Sequence, residues 1–246
     1  MATTIAISGK GGSGKTTLAA MIIRLLSEQT GRPILAVDAD PNSCLGLVMG
    51  VQPAAVIAEV REKAARKQPG SPGLDRVRSL EYDIQQAITE ADRFDLLTMG
   101  RPEGPGCYCA ANNLLREFLN RLSSAYEFLV IDNEAGMEHL SRRTTNNVDL
   151  LCIVAEATPL GAVTAQRIFE LAKQLPISVK NIGVIWNRTD NEKELNEIDV
   201  FGCVPYDKAL LDASMRAETI FSVEGQSPAF LAVRKILEEK LSPAKI

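Results

Sequence analysis

The stretch Ile7–Thr17, "ISGKGGSGKTT", decides the fold. It lies between an apolar run, "TIAIS" at 4–8, and a helical pattern, "KTTLAAMIIRLLSEQ" at 15–29, which Gly31 closes. Gly9, Gly14, Lys15 and Thr16 fill the spacing G-x-x-x-x-G-K-[ST] in the strand–loop–helix context that this pattern demands. Glycines let backbone N–H groups curl around phosphate oxygens, and the helix N-terminus adds a favourable dipole. The loop Gly9, Lys10, Gly11, Gly12, Ser13, Gly14, Lys15, Thr16 and Thr17 therefore reads as a nucleotide-phosphate site. Lys15 bridges the terminal phosphates and the Thr16 hydroxyl holds Mg²⁺ in that reading.

Outward from the loop, apolar runs and helical patterns alternate, which predicts βαβ units and a mostly parallel sheet flanked by helices. Further strands are expected in "PILAVDAD" (33–40), "FDLLTMG" (94–100), "YEFLVIDNEAG" (126–136), "LLCIVAE" (150–156), "NIGVIWNRT" (181–189) and, as a short seventh, "IDVFGCVPYD" (198–207). Helices are expected in "NLLREFLNRL" (113–122), "LGAVTAQRIFELAKQL" (160–175) and the amphipathic "AFLAVRKILEEKL" (229–241). The polar segment from Pro53 to Leu80 reads as a helix and then an exposed connection around "KQPGSPG" (67–73). No repeat or low-complexity tract interrupts the pattern, and residues 1–246 read as one doubly wound α/β domain.

Composition narrows the function. A formal charge of −4 lacks the basic excess of a nucleic-acid binder. No apolar run approaches the roughly 20 residues that span a bilayer, and Met1 leads straight into a strand pattern rather than a signal peptide. The 5 cysteines are odd in number, which fits reduced thiols in a cytoplasmic protein better than a disulfide framework.

Carboxylates recur at strand ends, where open α/β sheets bind ligands. "VDADPN" carries Asp38, expected near Mg²⁺ and the phosphate loop, and Asp40, expected to orient the attacking water. Asp132 follows four apolar residues in "FLVIDNEAG" and is the Walker-B type carboxylate for Mg²⁺. Gly136 lets the following loop move with the γ-phosphate, while Glu134 and Glu138 are either switch residues or solvated.

Cys107 and Cys109, in "MGRPEGPGCYCAANN" (99–113), stand one residue apart and make half of a tetrahedral metal site. No other Cys or His lies near enough in sequence to complete it, and the single histidine, His139, reads as a structural imidazole. A two-fold dimer supplies the missing pair by symmetry. Such an S₄ site suits Zn²⁺ or an Fe–S cluster, or Ni²⁺ where it flattens. A redox switch, a strained disulfide or two small buried side chains are the other readings of the pair. Cys44, Cys152 and Cys203 read as core or near-switch thiols.

Lys10 adds a second lysine to the loop, and "KGGSGKT" resembles the signature of the MinD/ParA/nitrogenase-iron-protein group of dimeric ATPases, a MinD-like (SIMIBI) class of P-loop NTPase. The resemblance implies a homodimer closed over two nucleotides, with Lys10 reaching the partner's phosphates as an arginine finger does. It also implies that Asn187, with Arg188 beside it, contacts adenine and that Pro205 and Tyr206 lie near the same ring, hence ATP/ADP rather than GTP. From residue type alone Asn187 is equally a turn residue. "KGGSGKTT", "VDADPNSCLG", "CYC" and "IDNEAGMEHLSRRT" together are similar to the accessory ATPases of CooC type, which insert nickel during maturation of carbon monoxide dehydrogenase and acetyl-CoA synthase. That likeness implies nickel or zinc at the paired Cys107 and Cys109 and one of those two enzymes as client; the acidic balance and the lack of a basic patch or anchor helix argue against a nucleic-acid or membrane partner. Asn133 and the "SRRT" after His139 depart from it. Two rival classes remain: a positioning or partitioning ATPase, which needs a basic patch or anchor helix, and an iron–sulfur electron donor, which draws its ligands from separated segments.

Overall fold

Strand β1 (Thr3–Gly9) has every residue buried, and so do β2 (Ile34–Ala39) and β5 (Phe128–Asn133). Strands covered on both faces are the mark of a parallel sheet under two helical layers. The computed structural model describes residues 2–66, 73–101, 125–134, 147–175 and 177–241. In chain order it places β1, α1 (Lys15–Thr30), β2, α2 (Leu45–Met49), α3 (Ile57–Arg66), α4 (Gly73–Gln86), β3 (Ile88–Glu90), β4 (Asp95–Thr98), β5, β6 (Asn147–Glu156), α5 (Pro159–Gln174), β7 (Ser178–Asn187), β8 (Asp199–Val204), α6 (Lys208–Met215), a 3₁₀ turn (Ile220–Ser222) and α7 (Pro228–Lys240).

The sheet runs β3-β4-β2-β5-β1-β6-β7-β8. Every neighbouring pair is parallel except β3 against β4. β1 sits where the chain reverses its direction of winding across the sheet, with β5 on one side and β6 on the other. A ligand crevice is expected outside the strand ends at that point. One face carries α1 and α7, the latter contributing Phe230, over Ile5, Ile7 and Val130; the other carries α3, α4 and α5, the last contributing Phe169, over Leu35, Ile131 and Trp186. This is the doubly wound architecture expected from the alternation.

Local signals set the helix limits. Gly31 ends α1 at φ 60°, its N–H meeting the Ser27 carbonyl. Thr158 caps α5 by accepting from the Gly161 N–H at 3.0 Å, with Pro159 in the first turn. Some details differ from the sequence reading. "KQPGSPG" separates two helices rather than ending one, and the sheet gains a three-residue antiparallel strand, β3, on the edge beyond β4. The short helices α2 and α6 were also not anticipated, because five and eight residues are too few to establish a 3.6-residue period. The expected helix at 113–122 lies outside the described residues, as do Cys107, Cys109, Gly136, Glu138 and His139. Among the described residues, no helix is long and apolar enough to cross a membrane.

Arg24 ties the phosphate-loop helix to the C-terminal part of the chain. It is buried, and its Nη1 donates to the carbonyls of Ile220 at 2.6 Å and Val223 at 2.7 Å. Its Nε meets Glu28 at 2.8 Å, and its guanidinium lies 4.7 Å from the centroid of the Phe230 ring. Removing it leaves two carbonyls without their donor. Arg24→Ala is expected to lower unfolding stability by about 2–4 kcal/mol, read from urea unfolding midpoints. Arg24→Lys is expected to recover only part of the loss, since an ammonium lacks the planar fork.

Candidate functional site

The phosphate loop leaves β1 at Gly9, where a Cβ would stand 2.3 Å from the Val154 carbonyl oxygen, so only glycine lets β1 and β6 approach this closely. The loop closes on itself through the Ser13 N–H, which donates to the Lys10 carbonyl at 3.2 Å, and α1 then begins at Lys15. Lys15 is buried, and its ammonium curls back to the Lys10 carbonyl at 3.3 Å. Lys10 is exposed. The two lysines of one loop thus face different surroundings, one turned into the loop and one outward.

Asp38 and Asp132 end β2 and β5 in register with each other, and both are buried. Asp38 accepts from the backbone N–H of Leu45 at 2.9 Å and of Asp40 at 3.3 Å. No backbone donor reaches either carboxylate oxygen of Asp132, which leaves the Thr16 hydroxyl and the Lys15 ammonium beside it as compensation. Burial pushes the Asp132 carboxyl up to about 7, with Thr16 and Lys15 pulling it down and Asp38 and Asp40 adding to the rise. Burial likewise pushes Asp38 up to about 6 against the two N–H donors. The Thr98 hydroxyl, in register with Asp38, and the Ser13 hydroxyl are buried without a partner. Orphaned acceptors of this kind, next to Thr16 and Lys15, fit a divalent cation accompanied by phosphate oxygens. Among the described residues no group of three or more His, Cys, Asp or Glu side chains could hold a metal ion. A cation here must therefore complete its shell from the nucleotide and water.

Asp40 is half-buried and accepts from both the backbone N–H of Asn42 at 2.9 Å and its side-chain amide at 2.8 Å, which shapes the turn after β2. Of the thiols, Cys152 is buried, Cys203 is intermediate and Cys44 is exposed on the turn before α2. Burial and the neighbouring Asp38, Asp40 and Asp132 carboxylates all raise the Cys44 thiol.

A cleft of about 380 Å³ opens beside the loop, lined by Gly14, Thr17, Asn187, Arg188, Pro205 and Tyr206. Asn187 and Val204 end β7 and β8 side by side, so the sheet register brings Asn187 and the Pro205–Tyr206 pair together. Its place against the loop and its size suit a nucleoside. Sequence reasoning missed Asp207, which caps α6 through the Ala209 N–H at 2.9 Å and reaches the Ala229 N–H at 3.3 Å. It anchors the segment that carries Pro205 and Tyr206. An Asp directly before "KALL" was the available helix-start signal. Thr98 carried no comparable signal.

Comparison with known proteins adds a family to this geometry. The model of the CobQ/CobB/MinD/ParA nucleotide binding domain matches residues 4–220. An uncharacterized ATP-binding protein of Methanocaldococcus jannaschii is 38% identical over 247 residues, covering 96% of this chain and 97% of its own. The carbon monoxide dehydrogenase accessory protein CooC of Rhodospirillum rubrum is 32% identical over 249 residues, covering 92% and 90% respectively. The septum site-determining protein MinD of Pyrococcus horikoshii, complexed with Mg-ADP, shares the fold at a TM-score of 0.71 and 22% identity, over 100% of this chain and 99% of its own.

The raised acids give the metal-free chain a pH signature. A carboxyl whose folded pKa stands above its unfolded value of 3.8 holds its proton more tightly when folded. The stability it contributes is complete below about pH 4 and is lost as pH rises toward about 7. Urea unfolding of the metal-free protein is expected to show falling stability across this window. Asp132→Asn is expected to flatten the fall, and Mg²⁺ with nucleotide to reverse it.

Proposed function

The chain belongs to the CobQ/CobB/MinD/ParA nucleotide-binding family and is an ATPase of MinD/ParA type, and from that premise we propose that it is a nickel-handling accessory ATPase. In this reading residues 1–246 are one domain that works as a homodimer switched by ATP and ADP, serving carbon monoxide dehydrogenase or acetyl-CoA synthase. The observation that carries the ATPase chemistry is the buried Asp132 carboxylate, without a backbone donor and beside the phosphate loop that Lys15 closes. The nickel assignment is supported by the Cys107-x-Cys109 pair in a chain 32% identical to the Rhodospirillum rubrum accessory protein.

The residues divide the work as follows. Backbone N–H groups from Gly9 to Thr17 and the Lys15 ammonium take the phosphates, and Thr16, Asp38 and Asp132 are the groups that would hold Mg²⁺. Mg²⁺, when bound, neutralises charge on the β- and γ-phosphate oxygens. Asp40 orients the water that attacks the γ-phosphorus, and the bond to the β–γ bridging oxygen breaks as ADP leaves. Lys10, exposed on the loop, supplies positive charge to the partner protomer's transferring phosphoryl group. Asn187, Arg188, Pro205 and Tyr206 receive the adenine. Cys107 and Cys109 of two protomers take the nickel cargo between them, and nucleotide state shifts the dimer only by its differential affinity for the open and closed forms.

Nickel titration of anaerobically purified protein tests the reading, with ATP and with ADP. About one ion per two chains is expected for the wild type, from four thiolates per shared site. The double variant Cys107→Ala/Cys109→Ala is expected to lose it, and undiminished uptake by that variant refutes the assignment. Lys10→Ala is expected to keep ATP binding while its turnover falls by about 10³-fold or more, the scale of a charge supplied in trans.

A further inference from the structure

Asn187 does more than border the base cleft. Its Nδ2 donates to the Ser13 carbonyl at 2.7 Å, across 174 positions of sequence, while its Oδ1 accepts from the Arg188 N–H at 3.0 Å. The carboxamide is held by a shaped turn. Arg188 sits at a left-handed φ of 60° and meets Glu156 at 3.4 Å, and the Thr189 N–H donates to the Val204 carbonyl at 3.1 Å. On the other side the loop is pressed against the amide. Gly14 has a φ of 95°, and a Cβ there would stand 2.3 Å from the Asn187 Nδ2.

The consequence follows from peptide geometry. Ser13 C=O and Gly14 N–H belong to one planar trans peptide, so they point in opposite directions. Holding the carbonyl on Asn187 turns the Gly14 N–H away from it. An anion-binding loop works because successive N–H groups converge on one side, and a flipped peptide would replace a donor with a carbonyl oxygen. The Ser13 N–H bond to the Lys10 carbonyl constrains the neighbouring peptide but not this one. Glycine at position 14 puts little steric resistance in the way of a flip. Among the described hydrogen bonds, the Asn187 amide is the one that holds this carbonyl.

We propose that Asn187 is a positioning residue that locks the Ser13–Gly14 peptide in its anion-binding orientation, so that binding of the phosphate chain itself passes through the amide that borders the base cleft. The inference rests on the nucleotide reading of the loop. It makes one side chain common to base recognition and loop shape: the first Nδ2–H is committed to the loop and the second is left for a purine acceptor.

A ligand without a base separates this role from base reading. Mg-tripolyphosphate and Mg-ATP are titrated calorimetrically into wild type and Asn187→Ala, with urea unfolding of the unliganded proteins alongside. Asn187→Ala is expected to weaken tripolyphosphate about 3- to 10-fold, the range of one hydrogen bond, and ATP by at least as much. The unliganded unfolding midpoint is expected to fall only slightly, on the scale of one lost hydrogen bond, in the same Asn187→Ala protein. Asn187→Asp, which keeps the volume and turns an acceptor toward the Ser13 carbonyl, is expected to lose more, and it serves the same comparison should the alanine variant not fold. Weaker ATP binding with unchanged tripolyphosphate binding overturns the proposal while leaving the nucleotide reading intact. A wild type that binds ATP but not tripolyphosphate also overturns it. A wild type that binds neither overturns the nucleotide reading itself.

Discussion

Two carboxylates sealed side by side at the ends of β2 and β5 set the terms for everything around them. Burying one such charge without a partner is strongly unfavourable, and burying two in register is worse. Asp38 is partly relieved by backbone donors, but Asp132 has none. The sheet forces the arrangement, because strands covered on both faces bring their C-terminal residues out only at the crevice beside β1. Lys15, turned inward on the adjacent loop, supplies compensating charge. The rest has to arrive with a ligand. Binding of a cation with a triphosphate is thereby linked to folding free energy, since the ligand stabilises the one state in which these acids are gathered.

How much of this was legible in the sequence follows from the lengths and chemistry of particular elements. The loop from Gly9 to Thr17 was readable because its glycines answer to backbone geometry and its lysine to charge. Asp38 and Asp132 were readable because each interrupts the end of an apolar strand. The strands β6 and β7, ten residues each, were long enough to declare themselves. By contrast, α2 and β3 span five and three residues, below any periodicity, and depend on tertiary contact for their existence. Helix α4 was hidden by the proline and glycine cluster just before it. Among the described side chains of α4, Ile84 reaches the core from between charged and exposed neighbours. The attachment of Asn187 to Ser13 was invisible for another reason: it joins positions far apart in the chain through a register that only the folded sheet defines.

A fold shared with MinD at a TM-score of 0.71 explains the architecture and leaves the task open, because function resides in sites grafted onto common folds. The nucleotide machinery is general to such a fold. The cysteine pair is specific, and it is what separates the proposed metal carrier from a positioning device built on the same sheet.

The margins of the sheet bear on the proposed homodimer. A long flat outer strand would invite another molecule to add itself by backbone pairing, but here neither flank offers one. On one side β3 is three residues long, runs against its neighbour and ends in Glu90. On the other, the β7–β8 register slips between Val184 and Ile185, and Gly202 departs from extended geometry at φ 145°. The Lys240 ammonium of α7 then lies over Phe201 at 5.0 Å. With both flanks blunted, strand addition is disfavoured, and the homodimer proposed above would form instead at the rim where the loops emerge.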